Sequence, residues 1–371
     1  FTPTHMHNFT IDYDGQFDKG KELKLSADYT LKNSNQNSYT YEHNMETGNE
    51  LNIFTWNYDK YRIWTFNGSY KFKLPYNISS VIGSRYYNVY NPSDYTTNNP
   101  RVNTDNSWEK IKANDNVTAG FFALTKEWSK GWVRLGGRYE YSDTRLTSYS
   151  TNGTNTAHHH TSNFLPQAVI TYNVSKKLFF QLAYKRSVTR QGYKGLNPNP
   201  IYRDSLAYSV GNSSLRPAYS DEYSLYAQWK SFMLSFIYGR TTDGITSVQY
   251  APYENSNLTN VTNINFGQSR FFTTSLTWNK TMNKLYLNMR VAMTIPHSSF
   301  LFRNEKVTAN KISWNMNLYA SYHINDVFSV YTRFDYQGYR QADIISQRDA
   351  NNWQIGSQAS LLKDRLSVAL A

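Results

Sequence analysis

The chain has no cysteine in 371 residues, which excludes a disulfide scaffold, a thiolate-ligated zinc site and a thiol nucleophile. It also has no run approaching the roughly 18 apolar residues that a membrane helix needs, so a bundle of membrane helices is excluded. Charged residues are only 18% of the chain, and the net charge of +12 is scattered in ones and twos. With no basic run or basic helix face, nucleic acid is not an expected partner. No signal peptide precedes Phe1, so the sequence reads as a mature form or a fragment.

Aromatic residues are abundant, with 32 Tyr, 20 Phe and 9 Trp. That is far too many for a disordered polypeptide. Their setting is a period-two alternation, which places every second side chain on one face of a strand. Leu23, Leu25, Ala27, Tyr29 and Leu31 alternate with polar residues, as do Val133, Leu135, Gly137, Tyr139 and Tyr141. The same pattern runs through Leu285 to Ile295 and, most cleanly, through Ile312, Trp314, Met316, Leu318, Ala320 and Tyr322. Each such segment has one apolar face and one face fit for water.

The alternating segments run to about ten residues, whereas strands in soluble domains usually run to about five or six. About 9–11 residues tilted near 45° is the length that crosses a bilayer's hydrocarbon core. Tight turns are expected at residues 129–131, 175–176, 282–283, 325–326 and 363–364, and longer polar loops at 91–115, 145–162, 189–218, 241–267, 296–309 and 340–351. Short turns at one end and long loops at the other are the asymmetry of an outer-membrane barrel. Counting turns predicts an all-β, transmembrane antiparallel β-barrel with about sixteen strands present. Residues 33–59 read as an extended external hairpin, and a bulge or a different register is expected near Val81 and Phe121, where Phe121 and Phe122 break the alternation. Trp128 and Trp132, Trp229 and Phe232, and Phe179 and Phe180 flank turns as an interfacial aromatic girdle would. A soluble, carbohydrate-binding β-propeller-like module is the alternative, since aromatic-rich hairpins at this spacing also describe blades.

The most specific stretch runs from Leu178 to Ile245. Its Arg186, Arg190, Leu196, Asn197, Pro198, Gly211, Asn212, Leu215, Arg216, Pro217, Glu222 and Tyr223 resemble the barrel motif of TonB-dependent receptors, the outer-membrane β-barrel family abundant in Bacteroidetes. GGRYEYSDTR from Gly136 and NFLPQAVITY from Asn163 are similar to two further elements of that family. Ser213 and Ala218 depart from its usual Pro and Glu. The resemblance implies a barrel of about 22 strands in the outer membrane of a Gram-negative bacterium, surrounded by lipid and lipopolysaccharide. It further implies uptake of a siderophore, glycan or peptide-like nutrient, coupled to the TonB complex through a plug. The chain enters strand-like sequence at Met6 and stops within an alternation at Ala371, so residues 1–371 read as one barrel domain without the plug or the last strands. A plug-less pore or adhesin is the further alternative.

No catalytic constellation stands out, and neither an enzyme nor a cofactor is expected. His158, His159 and His160 are adjacent, but imidazoles adjacent in sequence do not converge on a metal without further ligands. Asn-x-Ser/Thr triplets such as those at Asn67, Asn116 and Asn173 read as a by-product of composition. Ligand contacts are expected on the long loops, from Trp108, Arg190, Tyr193, Tyr202, Arg203, Tyr208, Tyr250 and Tyr253, because Tyr and Trp offer a flat apolar face with a hydrogen-bonding edge. Arg138, Glu140, Arg290, Arg333 and Asp335 are expected to face the lumen.

Overall fold

The structure is a computed structural model that describes residues 4–43, 45, 48, 50–98, 107–151, 153–197, 200–202, 206–251, 258–302, 305–342, 345–361 and 366–370. Its strands are β1 (Thr4–Phe17), β2 (Lys21–His43), β3 (Glu50–Leu74), β4 (Ile78–Asn98), β5 (Ser107–Trp128), β6 (Gly131–Ser150), β7 (Gly153–Ser175) and β8 (Leu178–Thr189). There follow a single helical turn α1 (Tyr193–Leu196), then β9 (Pro200–Tyr202), β10 (Ala207–Val210), β11 (Ala218–Trp229), β12 (Phe232–Tyr250), β13 (Thr259–Met282), β14 (Leu285–Phe302) and β15 (Glu305–Ala309). The chain continues through β16 (Ser313–His323), β17 (Phe328–Gln337), β18 (Arg340–Ala342), β19 (Ile345–Gln347), β20 (Ala350–Leu361) and β21 (Leu366–Leu370). No described helix is long and apolar enough to cross a membrane.

Sixteen of these strands form one antiparallel wall in chain order, from β1 through β8, then β11 to β14, β16, β17, β20 and β21. β1 pairs only with β2 and β21 only with β20, so the described sheet is open. This single continuous sheet has none of the separate four-stranded blades of a propeller.

The short connections gather at one end. They are the turns Asp18–Gly20 and Pro75–Asn77 and the tight turns at 129–130, 176–177, 230–231, 283–284 and 324–327. Residues 362–365, where the last turn is expected, lie outside the described residues. Lys230 and Asn283 take φ of 52° in two of these turns, the left-handed backbone that tight hairpins require.

Alternation sorts the side chains as expected. One face carries Leu25, Trp64, Phe66, Tyr86, Phe122, Leu135, Phe164, Leu182, Leu225, Leu276 and Trp314, all exposed. In water so much contiguous apolar surface would drive association; in a bilayer it meets hydrocarbon. Near the turns, Trp229 stacks at 6.3 Å on Phe232, which stacks at 6.2 Å on Trp278, a piece of the expected girdle. The opposite face is polar, with hydroxyl and amide contacts between strands: Ser235 with Ser275 at 2.7 Å, Thr273 with Thr294 at 3.0 Å, and Asn317 Nδ2 donating to Asp335 at 2.7 Å.

Two expectations change. β4 and β5 keep one register from Ile78↔Lys126 to Thr97↔Ser107, so there is no bulge at Val81 or Phe121. Phe122 points outward and Phe121 inward, over Gly83, where a Cβ would collide with the Phe121 ring. The wall's register shift lies instead between Asn173 and Ser175. Several expected loops are strands: ladders run on to Thr97↔Ser107, Ser150↔Gly153, Tyr250↔Asn260 and Phe302↔Glu305. Polar sequence points to loop there, but the ladder bonds join backbones and are indifferent to Ser, Thr and Asn on both faces. The hairpin over 33–59 does form, with β2 and β3 paired up to His43↔Glu50.

Candidate functional site

Above the membrane the wall is uneven. β8 and β11 have 12 residues each, while flanking β7 has 23 and β12 has 19. β7 therefore has no β8 partner above Gln167, and β12 has no β11 partner beyond Thr242. The described residues of segment 190–217, which joins the two short strands, lie between these tall walls.

The segment is held by an apolar contact and by a polar one. Leu196 and Leu215 are buried with Ile111 and Ala113 of β5 and Leu146 of β6, and Ala157 of β7 and Ile245 of β12 pack against them. In a wall whose inner face is polar, this cluster ties four strands through two leucines. Gly211 lies so close to the Asn197 and Gly195 backbone that a Cβ would collide there, which is why only glycine fits. The Asn212 amide donates to Gly195 O at 2.7 Å, and its Nδ2 to Asn263 O at 3.1 Å. Asn265 of β13 accepts from the Arg216 amide at 2.8 Å and donates to Arg216 O at 2.9 Å and Asp243 O at 2.8 Å. Arg216 Nη2 reaches Asp243 Oδ1 at 2.7 Å. Asp243 has φ of 52°, a left-handed conformation that Asp tolerates better than most residues.

Both ends of the segment return to one polar patch on β6 and β7. Glu140 is 7% exposed and takes Arg138 Nη2 at 2.6 Å and Nε at 2.7 Å on Oε2, while its Oε1 accepts from Arg190 Nη2. With its amide oriented to satisfy both neighbours, Asn163 donates through Nδ2 to Tyr219 Oη at 2.7 Å and accepts from Arg190 Nη2 at 3.2 Å. Arg186 lies over the Tyr219 ring at 5.5 Å. The patch borders a cavity of about 470 Å³ that Arg134, Arg138, Glu140, Gln167, Lys185, Arg186 and Arg190 line. A second inner-face cavity of about 430 Å³ lies between Arg290, Asn315, Asn317, Arg333, Asp335 and Asn352, with Arg333 Nε donating to Asp335 at 2.6 Å.

The expected contact residues divide. Arg190 is occupied by Glu140 and Asn163, so it anchors a segment rather than lying free on a loop. Tyr208 and Tyr250 come together, each paired in register with Asn260, and Asn260 Nδ2 donates to Tyr250 Oη at 2.9 Å. Tyr202 pairs with Tyr208 through β9 and β10, and Tyr193 opens α1. Trp108 stands apart on β5, opposite Thr96, and is exposed. Arg203, Tyr253 and Pro198 lie outside the described residues. Of the motif, Leu196, Asn197 and Leu215 are buried, and Gly211, Asn212 and Arg216 hold the segment's backbone. Pro217 ends the segment directly before β11. His158 and His160 share one face, with His158 Nε2 2.5 Å from Asp143 Oδ1, and strand alternation puts His159 on the other. Among the described residues no group of three metal-competent side chains forms. Asp243 and Asn265 are not anticipated from the sequence, and Asn163 only as the opening of the NFLPQAVITY element; Asp243 carries a local signal, the Asp-Gly pair with Gly244 that favours positive φ.

Residues 15–371 match the outer membrane protein beta-barrel family. No curated protein matches the chain in sequence. In fold the chain is similar to the siderophore receptor PiuA from Acinetobacter baumannii, with a TM-score of 0.66 at 11% identity over 98% of this chain and 58% of that one. It is also similar to the ferric yersiniabactin uptake receptor FyuA from Yersinia pestis, with a TM-score of 0.65 at 10% identity over 99% of this chain and 55% of that one. A third likeness is to the alcaligin outer membrane receptor FauA from Bordetella pertussis, with a TM-score of 0.59 at 12% identity over 98% of this chain and 57% of that one. The chain thus spans somewhat over half the length of the receptors it resembles.

Proposed function

Because the chain belongs to the outer membrane protein beta-barrel family, we propose that it is the barrel of an outer-membrane receptor that binds an extracellular nutrient at its mouth and passes it inward. The observation that carries this reading is the two-faced wall: an apolar face for lipid and lipopolysaccharide, a polar face with cavities, and all the long hairpins at one end. The nutrient is a siderophore, glycan or peptide-like molecule, as the fold shared with siderophore receptors makes reasonable. Its passage is coupled to the TonB complex through a plug, and the motif resemblance favours a Bacteroidetes source. The reading is of transport, not catalysis.

An open edge in hydrocarbon leaves backbone N–H and C=O groups unpaired at several kcal/mol each. We therefore propose that further strands beside β1 and β21 close the wall in the working protein.

The test is expression of the whole protein, with its plug and closing strands, in a Gram-negative host. Heat-modifiable migration in detergent and energy-dependent uptake of one member of a panel of ferric chelates, oligosaccharides and peptides are expected. A monodisperse, water-soluble monomer would overturn the barrel reading. Uptake that persists without an energised inner membrane would replace the receptor with a passive pore.

A further inference from the structure

Three neighbouring tight turns, at the end opposite the tall hairpins, share one cup. The turns at 129–130, 176–177 and 230–231 border a cavity of about 520 Å³. Lys130, Lys176, Lys177 and Lys230 line it, and none of its lining residues is acidic. The turns are tied side by side: the Asn173 amide donates to Lys130 O at 2.6 Å, and the Lys230 amide donates to Lys177 O at 2.8 Å. The wall itself therefore sets the spacing of these lysines.

No carboxylate among the described residues forms an ion pair with any of the four, and like charges held so close repel one another. Other lysines at this end are spent on the fold: Lys126 donates to Tyr76 O, and Lys284 donates to Ile324 O at 2.7 Å. The cup also borders the apolar face. Leu178 pairs in register with Trp229, which is exposed on that face, and Val174 is exposed beside them. Lys230 Nζ lies 4.7 Å over the Trp229 ring, which sets one ammonium against the aromatic girdle. Cations next to a girdle and to hydrocarbon-facing side chains fit an amphiphile, with its anionic head on the ammoniums and its chain along the wall.

We propose that this cup binds an anionic phospholipid of the membrane's inner leaflet. Its phosphate is held by Lys130, Lys176, Lys177 and Lys230, and an acyl chain lies against Val174, Leu178 and Trp229. The inference rests on the barrel reading, which turns the short connections toward the periplasm, where the leaflet is phospholipid. Lysine suits the task, since its flexible stem lies along apolar surface while the ammonium reaches the headgroup layer. A cell-wall polyanion would use the charges and leave the apolar border idle; a phospholipid uses both.

The test takes the whole protein, with its plug and closing strands, in detergent with equal amounts of phosphatidylglycerol and zwitterionic phosphatidylethanolamine. Lipid that stays bound through gel filtration in lipid-free detergent is counted by mass spectrometry. Phosphatidylglycerol is expected in at least about fivefold excess, the preference one lysine confers at an anionic surface. Lys130→Gln, Lys176→Gln, Lys177→Gln and Lys230→Gln combined should bring the ratio to unity, and the same four changed to Arg should keep the excess. Lys32→Gln, Lys60→Gln, Lys110→Gln and Lys112→Gln combined, which removes equal charge from the hairpin half of β2, β3 and β5, should leave it unchanged. Val174→Asn should lower the retained phosphatidylglycerol with the lysines in place. If the combined cup variant fails to fold, Lys176→Gln and Lys230→Gln singly must each lower the ratio. No excess in the wild type, an excess that survives loss of the cup lysines, or an equal loss in the hairpin-half variant would overturn the proposal. So would full displacement of the lipid by equimolar glycerol phosphate, which would make the cup a site for soluble phosphate, or retention of peptidoglycan fragments in place of lipid. Failure of nutrient uptake with the lipid preference intact would count against the receptor reading alone.

Discussion

Arg190 and Glu140 stand 50 positions apart in the chain yet share one ion pair, and that pair fastens a loop to the barrel's inner wall. Glu140 is nearly buried between Arg138 and Arg190. Removing one partner of such a buried pair costs about 3–5 kcal/mol, because charge is left uncompensated. Glu140→Ala is therefore expected to lower the unfolding midpoint in detergent markedly. Glu140→Gln, which keeps the acceptor oxygen, should lose less. Equal midpoints for Glu140→Ala and wild type would show that the cluster is solvated.

Leu182 and Gln181 are adjacent on β8 and point to opposite faces. Leu182 is 54% exposed on the apolar face. An Arg on the lipid side of a barrel costs about 2–4 kcal/mol near the midplane, whereas lumen substitutions are tolerated. Leu182→Arg should thus reduce folding into lipid vesicles by that amount and Gln181→Arg should not. The reverse ranking would invert the assignment of faces.

Asp243 combines a left-handed backbone with a hydrogen bond to Arg216. Asp243→Asn keeps the tolerance for positive φ and loses a half-exposed ion pair, a change within about 1 kcal/mol. Asp243→Val places a β-branched residue in that conformation, at a cost of about 1–2 kcal/mol more. Denaturant midpoints of the two variants check the order.

Leu215 is 3% exposed in the cluster that spans β5, β6, β7 and β12. Leu215→Ala is expected to cost about 2–5 kcal/mol of local stability and to make segment 190–217 the first site of protease cleavage on intact cells. Cleavage that begins elsewhere, at an unchanged rate, would mean that the leucines do not hold the segment.

The wall was legible in the sequence because period-two alternation is a direct image of its two faces. Ile312 to Tyr322 and Leu285 to Ile295 show it almost without exception, and tight turns such as Asn283 and Lys284 mark where the chain reverses. The tall hairpins were not legible. Residues such as Thr147, Ser148, Asn155 and Thr156 carry no apolar face to alternate, so only the ladder partner reveals that they are strand. The site was half legible: Arg190, Glu140 and the motif could be named, but the meeting of Arg190 with Glu140, or of Arg216 with Asn265 and Asp243, depends on loop closure that no local pattern encodes.

The unequal height of the strands sets an order of encounter. β7 exceeds β8 by 11 residues, roughly 35 Å of extra strand at about 3.3 Å per residue. With the barrel oriented as the proposed receptor requires, a body approaching the cell, whether an antibody, a phage tail fibre or a bulky ligand, meets the crown of hairpins well before it reaches segment 190–217. Surface-directed selection thus falls first on the hairpin strands at 34–43 and 50–59, 144–151 and 153–162, and 243–251 and 258–260, and the buried motif beneath them lies beyond the reach of anything too wide to enter the mouth.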